Sequence, residues 1–266
     1  MRLNDFNFKK KYGQNFLKDY SIPNKIIEYS NILDNSLVIE IGPGAGILTK
    51  KLAIKAKYVL AYEIDISLKN RLNEVLSDYD NVKIVFDDFL NRDIKNDILS
   101  YEYDHLYVIA NLPYYITTPI IMKFIEEDID VKRLVVMVQK EVGERFSAKP
   151  KTKDYGSITV FLNYYFDIRK LFDVSRNCFF PKPNVDSVII SLDKKESNFS
   201  LLNKDLFFKL VKDSFQFKRK TLRNNLKGYN LELIESVLNK YGYNLTTRAE
   251  ELPLEVFIDI SNNLWL

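Results

Sequence analysis

The stretch Leu37-Val38-Ile39-Glu40-Ile41-Gly42-Pro43-Gly44-Ala45-Gly46-Ile47-Leu48-Thr49 decides the fold. It opens as a β-type apolar run and turns at a loop holding three of the chain's eight glycines. It then continues into ILTKKLAIKA (47–56), whose apolar spacing is that of a helix packed on a sheet. Glycines between a strand and a helix let the backbone turn sharply and bring its amides against a ligand. A dinucleotide fingerprint G-x-G-x-x-G/A would need a small residue where Ile47 stands, so a nicotinamide site is excluded.

Outward from this unit the pattern repeats. Apolar runs follow at YVLAYEI (58–64), VKIVF (82–86), LYVIAN (106–111), RLVVMVQ (133–139) and SVIISL (187–192). Helical stretches such as ISLKNRLNEVLSDY (66–79) separate them. Runs that are apolar throughout imply strands buried on both faces, as in a parallel sheet. The run SITVFLNYYFDIRKLF (157–172) reads as one further strand, with a helix as the alternative. The pattern predicts an α/β domain with a doubly wound, mostly parallel sheet over residues 1–195. From DKKESNFSLLNK (193–204) the alternation stops. LFFKLVKDSFQFKRKTLRNNL (206–226), LELIESVLNKYG (231–242) and LPLEVFIDISNNLW (252–265) are helical in spacing, predicting a small all-helical domain over 196–266.

With 266 residues, 46% hydrophobic and 28% charged, the chain has material for a sizeable core. No run of eighteen apolar residues reaches membrane-spanning length, and no apolar stretch follows the basic N-terminus as in a secretory leader. The expected setting is the cytoplasm, without a membrane. Cys178 stands alone, excluding an internal disulfide, and with His105 as the one histidine a zinc site of the usual ligand set is excluded too. Net charge is only +3, but it is unevenly spread. Residues 204–227 hold eight basic side chains against two acidic, and residues 1–25 hold six against two. Such clustering points to a polyanion with a localised footprint. Arg219, Arg223 and Lys227 recur every four residues, predicting one helix face, with Lys218 and Lys220 beside them.

Chemistry collects at the expected carboxyl ends of the strands. Gly42 and Gly44 shape the loop after the first strand. Glu63 ends the second, where a carboxylate can accept from both hydroxyls of a ribose. Asp88 follows the third in Phe86-Asp87-Asp88-Phe89, placed to accept from an adenine amine, with Asp87 as its competitor. After the fourth strand stands Asn111-Leu112-Pro113-Tyr114. This run resembles the (D/N/S)-P-P-(Y/F) signature of methyltransferases acting on planar exocyclic amines, and the resemblance implies such a target. A base amine is a poor nucleophile, because its lone pair is delocalised into the ring. The side-chain carbonyl of Asn111 and the backbone carbonyl of Leu112 can accept its hydrogens and return electron density to nitrogen. Pro113 stiffens the loop, and Tyr114 offers a face on which an extruded base can stack. His105 reads as a strand-edge residue, Cys178 as a small packed hydrophobe, and Tyr115 as structural.

The acidic-x-G-x-G-x-G pattern likewise resembles motif I of Rossmann-like class I methyltransferases. Over nearly its whole length the chain resembles the ribosomal RNA adenine dimethyltransferase family, small-subunit branch. The stretches that carry this are Gly13-Gln14-Asn15-Phe16-Leu17, EIGPGAGILT (40–49), NLPYYITTPI (111–120), VQKEVGERFSAKPKTKDYGSITV (138–160), FFPKPNVDS (179–187) and FKRKTLRNNL (217–226). The resemblance implies S-adenosylmethionine as cofactor, with Asn15 and Leu17 closing its pocket beside Gly42, Glu63, Asp88 and Asn111. It implies that Phe179, two residues before Pro181, sandwiches the target adenine with Tyr114, Phe180 being the alternative. It also implies transfer of methyl groups to two adjacent adenosines near the 3′ end of small-subunit ribosomal RNA. The partner would be that RNA or the immature small subunit, bound by a monomer through Lys218, Arg219, Lys220, Arg223 and Lys227. Alternatives are a large-subunit enzyme of the macrolide-resistance type, a non-catalytic assembly factor, and, more remotely, a DNA adenine methyltransferase.

Overall fold

The computed structural model describes residues 15–196 and 200–266; Lys9–Lys11, Gly13 and Gln14 lie outside the described residues. The chain runs β1 (Phe16–Leu17), α1 (Ser21–Ser30), β2 (Ser36–Ile41), α2 (Ile47–Lys55), β3 (Tyr58–Tyr62), α3 (Lys69–Val75), β4 (Val82–Val85) and α4 (Ile94–Ile98). It continues through β5 (His105–Asn111), α5 (Thr117–Glu126), β6 (Arg133–Gln139), α6 (Lys140–Phe146), α7 (Ser157–Tyr165), β7 (Phe166–Val174), β8 (Phe179–Phe180) and β9 (Ser187–Lys194). The last helices are α8 (Lys204–Ser214), α9 (Leu222–Asn225), α10 (Leu231–Lys240) and α11 (Leu254–Trp265). Among the described residues no helix is long and apolar enough to cross a membrane.

Seven strands form one sheet in the order β4-β3-β2-β5-β6-β9-β7, and β1 pairs with β8 separately. β2, β3, β4, β5 and β6 run parallel, and β9 returns antiparallel to β6. The class I methyltransferase architecture read from the sequence is the one observed. The chain winds from β2 through β3 to β4 on one side, then crosses to β5 and β6 on the other. The order in which strands are added reverses between the parallel β2 and β5, and such a switch point leaves a crevice at the carboxyl ends of the two strands. The apolar runs make this sheet because both faces are covered. Every residue of β2 is buried, and Val38, Ile39, Val59, Val108, Val135 and Val136 have no exposure. Each contributes about 1.5–3 kcal/mol by leaving water.

The chain divides into two compact units, Met1–Gly143 with Arg169–Lys194, and Glu144–Ile168 with Lys195–Leu266. One segment is placed differently from the expectation: Glu144–Ile168, assigned by pattern to the first domain, belongs to the second unit. The cause is aromatic packing. Phe161 stacks on Phe208 with ring centroids 4.5 Å apart, Tyr164 lies 5.7 Å from Phe207, and the Lys195 amide donates to the Tyr165 carbonyl at 2.9 Å. The run 157–172 is accordingly a helix followed by a strand. Gly156 starts that helix with its amide donating to Thr159 Oγ1, while the buried Thr159 hydroxyl donates to the Arg145 carbonyl at 2.8 Å.

A second difference falls on the basic stretch. α8 ends at Ser214 and α9 is a single turn, with residues 215–221 non-helical between them. Asn225 accounts for the break: its Nδ2 donates to the carbonyls of Ser214 and Phe217, and its Oδ1 accepts from the Phe217 amide. That side chain replaces the donors a continuous helix would have supplied. Arg219 and Lys227 lie in turns on either side of α9, so the three basic residues do not share a helix face.

Candidate functional site

A cavity opens in the first unit at the carboxyl ends of β2, β3 and β5. Its wall includes Asn15, Phe16 and Leu17, the loop Gly42–Ala45, Glu40, Glu63 and the run Asn111-Leu112-Pro113-Tyr114. Residues 96 positions apart in sequence thus meet at one point: Asn111 Nδ2 donates to the Asn15 carbonyl at 3.4 Å. One N–H of the amide is held by this bond, and its Oδ1 is available as an acceptor.

Gly44 shows why the loop needs glycine. Its φ is +56°, and a Cβ there would stand 2.9 Å from Cε1 of Phe16. The N-terminal strand therefore closes directly over the loop. Beside it Glu63 is fixed by backbone donors: Oε2 accepts from the Gly44 amide at 3.1 Å, and Oε1 from the Asp65 amide at 2.9 Å. Burial raises its pKa, and these two donors counter that rise by favouring the carboxylate. Each oxygen keeps a second lone pair, so a rigid acceptor borders the pocket where a ribose is expected.

Glu40 is the residue that the sequence reading left without a role. It is 1% exposed on β2, lines the cavity, and its Oε2 has no hydrogen-bond partner among the described residues. Burial, and after it the neighbouring Glu63 carboxyl, push its pKa up to about 8, the Thr49 hydroxyl acting in the opposite sense. An orphaned buried acid calls for a cation or a donor. S-Adenosylmethionine, which carries a sulfonium and an ammonium, fits such a wall. The signal was present in the motif itself, whose first residue is acidic.

Tyr114 follows Pro113 in a short 3-10 turn, Tyr114–Ile116, and its hydroxyl is 2.6 Å from Oγ of the buried Ser187. This bond fixes the ring at the mouth of the cavity. No local pattern could have named Ser187, because it reaches Tyr114 only through the pairing of β9 with β6. Leu112 is buried, its amide donating to the Met137 carbonyl at 3.2 Å.

Two expected residues stand elsewhere. Asp88 lies at the end of β4 outside the cavity wall, where its Oδ1 caps the turn Phe89–Asn91 by accepting from the Leu90 amide. Its competitor Asp87 is exposed and paired with Arg92 at 3.3 Å. Phe179 is 1% exposed and belongs to the core around Leu17, Ile22 and Ile26. It presents no open face here, because it pairs with Leu17 across the β1–β8 ladder and turns inward; Phe180, opposite Phe16, is half-buried. Cys178 donates to Asp19 at 3.8 Å, and burial with that carboxylate raises its thiol pKa. It takes no part in the cavity. Tyr115 is 55% exposed beside Tyr114, and His105 pairs with Ser36 at the far end of β5.

The basic residues form a surface within the second unit. Lys218, Arg219, Lys220, Arg223 and Lys227 are all exposed. Lys218 Nζ donates to the Lys153 carbonyl, which places the segment beside Lys149, Lys151 and Lys153. Arg223 lies 3.9 Å from Glu235.

The sequence profile of the family described as ribosomal RNA adenine dimethylase matches residues 5–265. The chain is 43% identical to "Ribosomal RNA small subunit methyltransferase A" of Bacillus cytotoxicus, the match covering 97% of this chain and 92% of that one. It is also 43% identical to the protein of the same name from Bacillus mycoides, over 98% and 92%. Among solved structures it is similar to a dimethyladenosine transferase from Plasmodium falciparum, with a TM-score of 0.77, 30% identity and coverage of 92% and 95%. It is also similar to the 23S rRNA methyltransferase ErmE, with a TM-score of 0.71, 26% identity and coverage of 95% and 100%. The glycine loop and acids of the cavity, the run Asn111-Leu112-Pro113-Tyr114 on the same wall and these matches agree: the chain belongs to the ribosomal RNA adenine dimethylase family.

Proposed function

We propose that this protein transfers methyl groups from S-adenosylmethionine to N6 of two adjacent adenosines near the 3′ end of small-subunit ribosomal RNA. The observation that carries this is the placement of Asn111-Leu112-Pro113-Tyr114 on the wall of the same cavity as Glu63 and the glycine loop. Identity favours the small-subunit branch: 43% to relatives named for the small subunit against 26% to the 23S enzyme.

The cofactor supplies an electrophilic methyl group on sulfur; the chain's own residues position what attacks it. Glu63 accepts from the ribose hydroxyls, and Asn15, Leu17, Gly42 and Gly44 close around the remainder. Asp88, at the neighbouring strand end, accepts from the cofactor's adenine amine. Oδ1 of Asn111 and the Leu112 carbonyl accept the two hydrogens of the target amine and hold its lone pair in line. Tyr114, locked by Ser187, stacks on the base. Phe179 stacks on the other face once β1 parts from β8 and its ring leaves the core around Leu17, Ile22 and Ile26. Each transfer releases one proton from the methylated nitrogen to solvent; after the first, one of the two acceptors still holds the remaining amine hydrogen, so a second transfer is feasible. Positioning and hydrogen bonding supply most of the acceleration, without a strong base.

The partner is small-subunit RNA or its immature particle, gripped by Lys218, Arg219, Lys220, Arg223 and Lys227 together with the 149–153 loop. The protein acts as a monomer in the cytoplasm. Labelled S-adenosylmethionine offered with separated, unmodified small and large subunits tests the reading. Label is expected in dimethyladenosine of the small subunit; label confined to the large subunit would reverse the branch, and label in neither would remove the activity.

A further inference from the structure

Glu40 and Glu63 end adjacent strands and border one buried cavity, being 1% and 4% exposed. Their surroundings differ. Glu63 is held by the amides of Gly44 and Asp65, which favour its ionised form. Glu40 Oε2 has no partner within hydrogen-bond geometry among the described residues, and the Thr49 hydroxyl, facing it from α2, is the one side-chain donor that favours its ionised form. From β3 it is faced by Glu63, the one charged group acting on it among the described residues; Asn111, from β5, is neutral. Two neighbouring buried carboxyls disfavour each other's ionisation, and the one with fewer donors keeps the proton more readily.

We propose that Glu40 is the cation receptor of the pocket and that it exchanges its proton for the positive charge of the cofactor, so that each binding event releases a proton to solvent. The inference rests on reading the cavity as an S-adenosylmethionine site. In the step itself the O–H bond of the Glu40 carboxyl breaks and the electron pair stays on oxygen. The proton passes to the buffer, and the cofactor's fixed charge takes its place. No redox change is involved. Burial and Glu63 set the carboxyl's pKa to about 8, so below that value the acid form predominates. The cation then has to draw out one proton. Affinity should therefore rise with pH up to about 8 and level off above it, by close to tenfold per pH unit in the acid range.

The test is calorimetric titration of S-adenosylmethionine into the whole protein at pH 7 in buffers of differing ionisation enthalpy. Wild type and Glu40→Gln are compared, so that any proton carried by the cofactor itself cancels. Wild type should release about one proton more per bound cofactor than the variant. The pH slope of its affinity between 6 and 7.5 should exceed the variant's by about one log unit per pH unit. Equal proton counts and parallel slopes would overturn the inference while leaving the cofactor site in place. If the wild type binds no S-adenosylmethionine at all, the proposed function fails instead. Should Glu40→Gln not fold, infrared difference spectra of wild type decide: a protonated-carboxyl band must vanish on adding cofactor, and its persistence refutes the proton exchange.

Discussion

The cofactor cradle and the basic segment 215–227 are built on opposite plans. In the cradle, side chains from three strand ends converge and backbone groups fix them: Glu63 by two amides, Asn111 against the Asn15 carbonyl, Tyr114 through Ser187. In the basic segment the backbone is held by Asn225, while the charged side chains are exposed, Lys218 reaching the Lys153 carbonyl and Arg223 lying beside Glu235. Contacts that are few, buried and rigid concentrate energy, so each is individually needed. Contacts that are many, exposed and mobile distribute it, and they weaken with salt. Substitutions should therefore differ in kind between the two regions.

The largest effect belongs to Phe179, a core residue paired with Leu17 of the cavity wall. Phe179→Ala should cost about 3–5 kcal/mol of stability, as for other fully buried rings, and Phe180→Ala less than half of that. Denaturant titration measures both. Phe179→Leu keeps most of the core volume and isolates the stacking role: methyl transfer should fall about ten- to hundredfold. Near-normal transfer in Phe179→Leu would leave it a core residue alone and hand the stacking face to Phe180.

Asn111→Ala comes next. Loss of a positioned hydrogen-bonding group at a reacting centre costs about a hundred- to thousandfold in kcat. RNA binding should be spared, because the basic segment belongs to the other unit. A variant keeping more than about a tenth of wild-type kcat would show that the amine is activated by other groups.

Glu63→Ala should weaken cofactor affinity by about 2–3 kcal/mol, the loss of one acceptor serving two hydroxyls. It also removes the partner of the Gly44 amide, so part of this effect reaches the loop. Calorimetry returning wild-type affinity would exclude the ribose contact.

How far the sequence carries the reader follows from the same contrast. The strand, loop and helix over 37–49 are legible because consecutive residues specify them, and NLPY (111–114) because four neighbours share one task. Burial of Phe179 was hidden, since it depends on a two-residue pairing with Phe16 and Leu17 far away in sequence. The helical face through Arg219, Arg223 and Lys227 failed for a local reason: one asparagine captures the Phe217 backbone and outweighs the spacing. The placement of 144–168 turned on Phe161 meeting Phe207 and Phe208, a tertiary contact with no sequence signal of its own.

The smallest effect per residue is expected in the basic segment, and it tests the distributed plan directly. Without a shared helix face, no one of Arg219, Arg223 and Lys227 holds a privileged position. Arg223 also has Glu235 nearby at 3.9 Å, which competes with a phosphate. Single replacements by glutamine should each weaken binding to small subunits modestly. The triple replacement should lower the slope of log affinity against log salt by up to about 2–3 units, near one per lost phosphate contact. Arg223 should contribute the least of the three, its charge being partly matched already. Affinity for S-adenosylmethionine is the control and should not change. Binding of wild type, single and triple variants across a salt series measures all of this. Parallel salt slopes would move the phosphate grip to the 149–153 loop, where Lys149, Lys151 and Lys153 lie exposed beside Lys218. A single replacement as damaging as the triple would refute the distributed plan, because it would mean that one buried contact, as in the cradle, dominates.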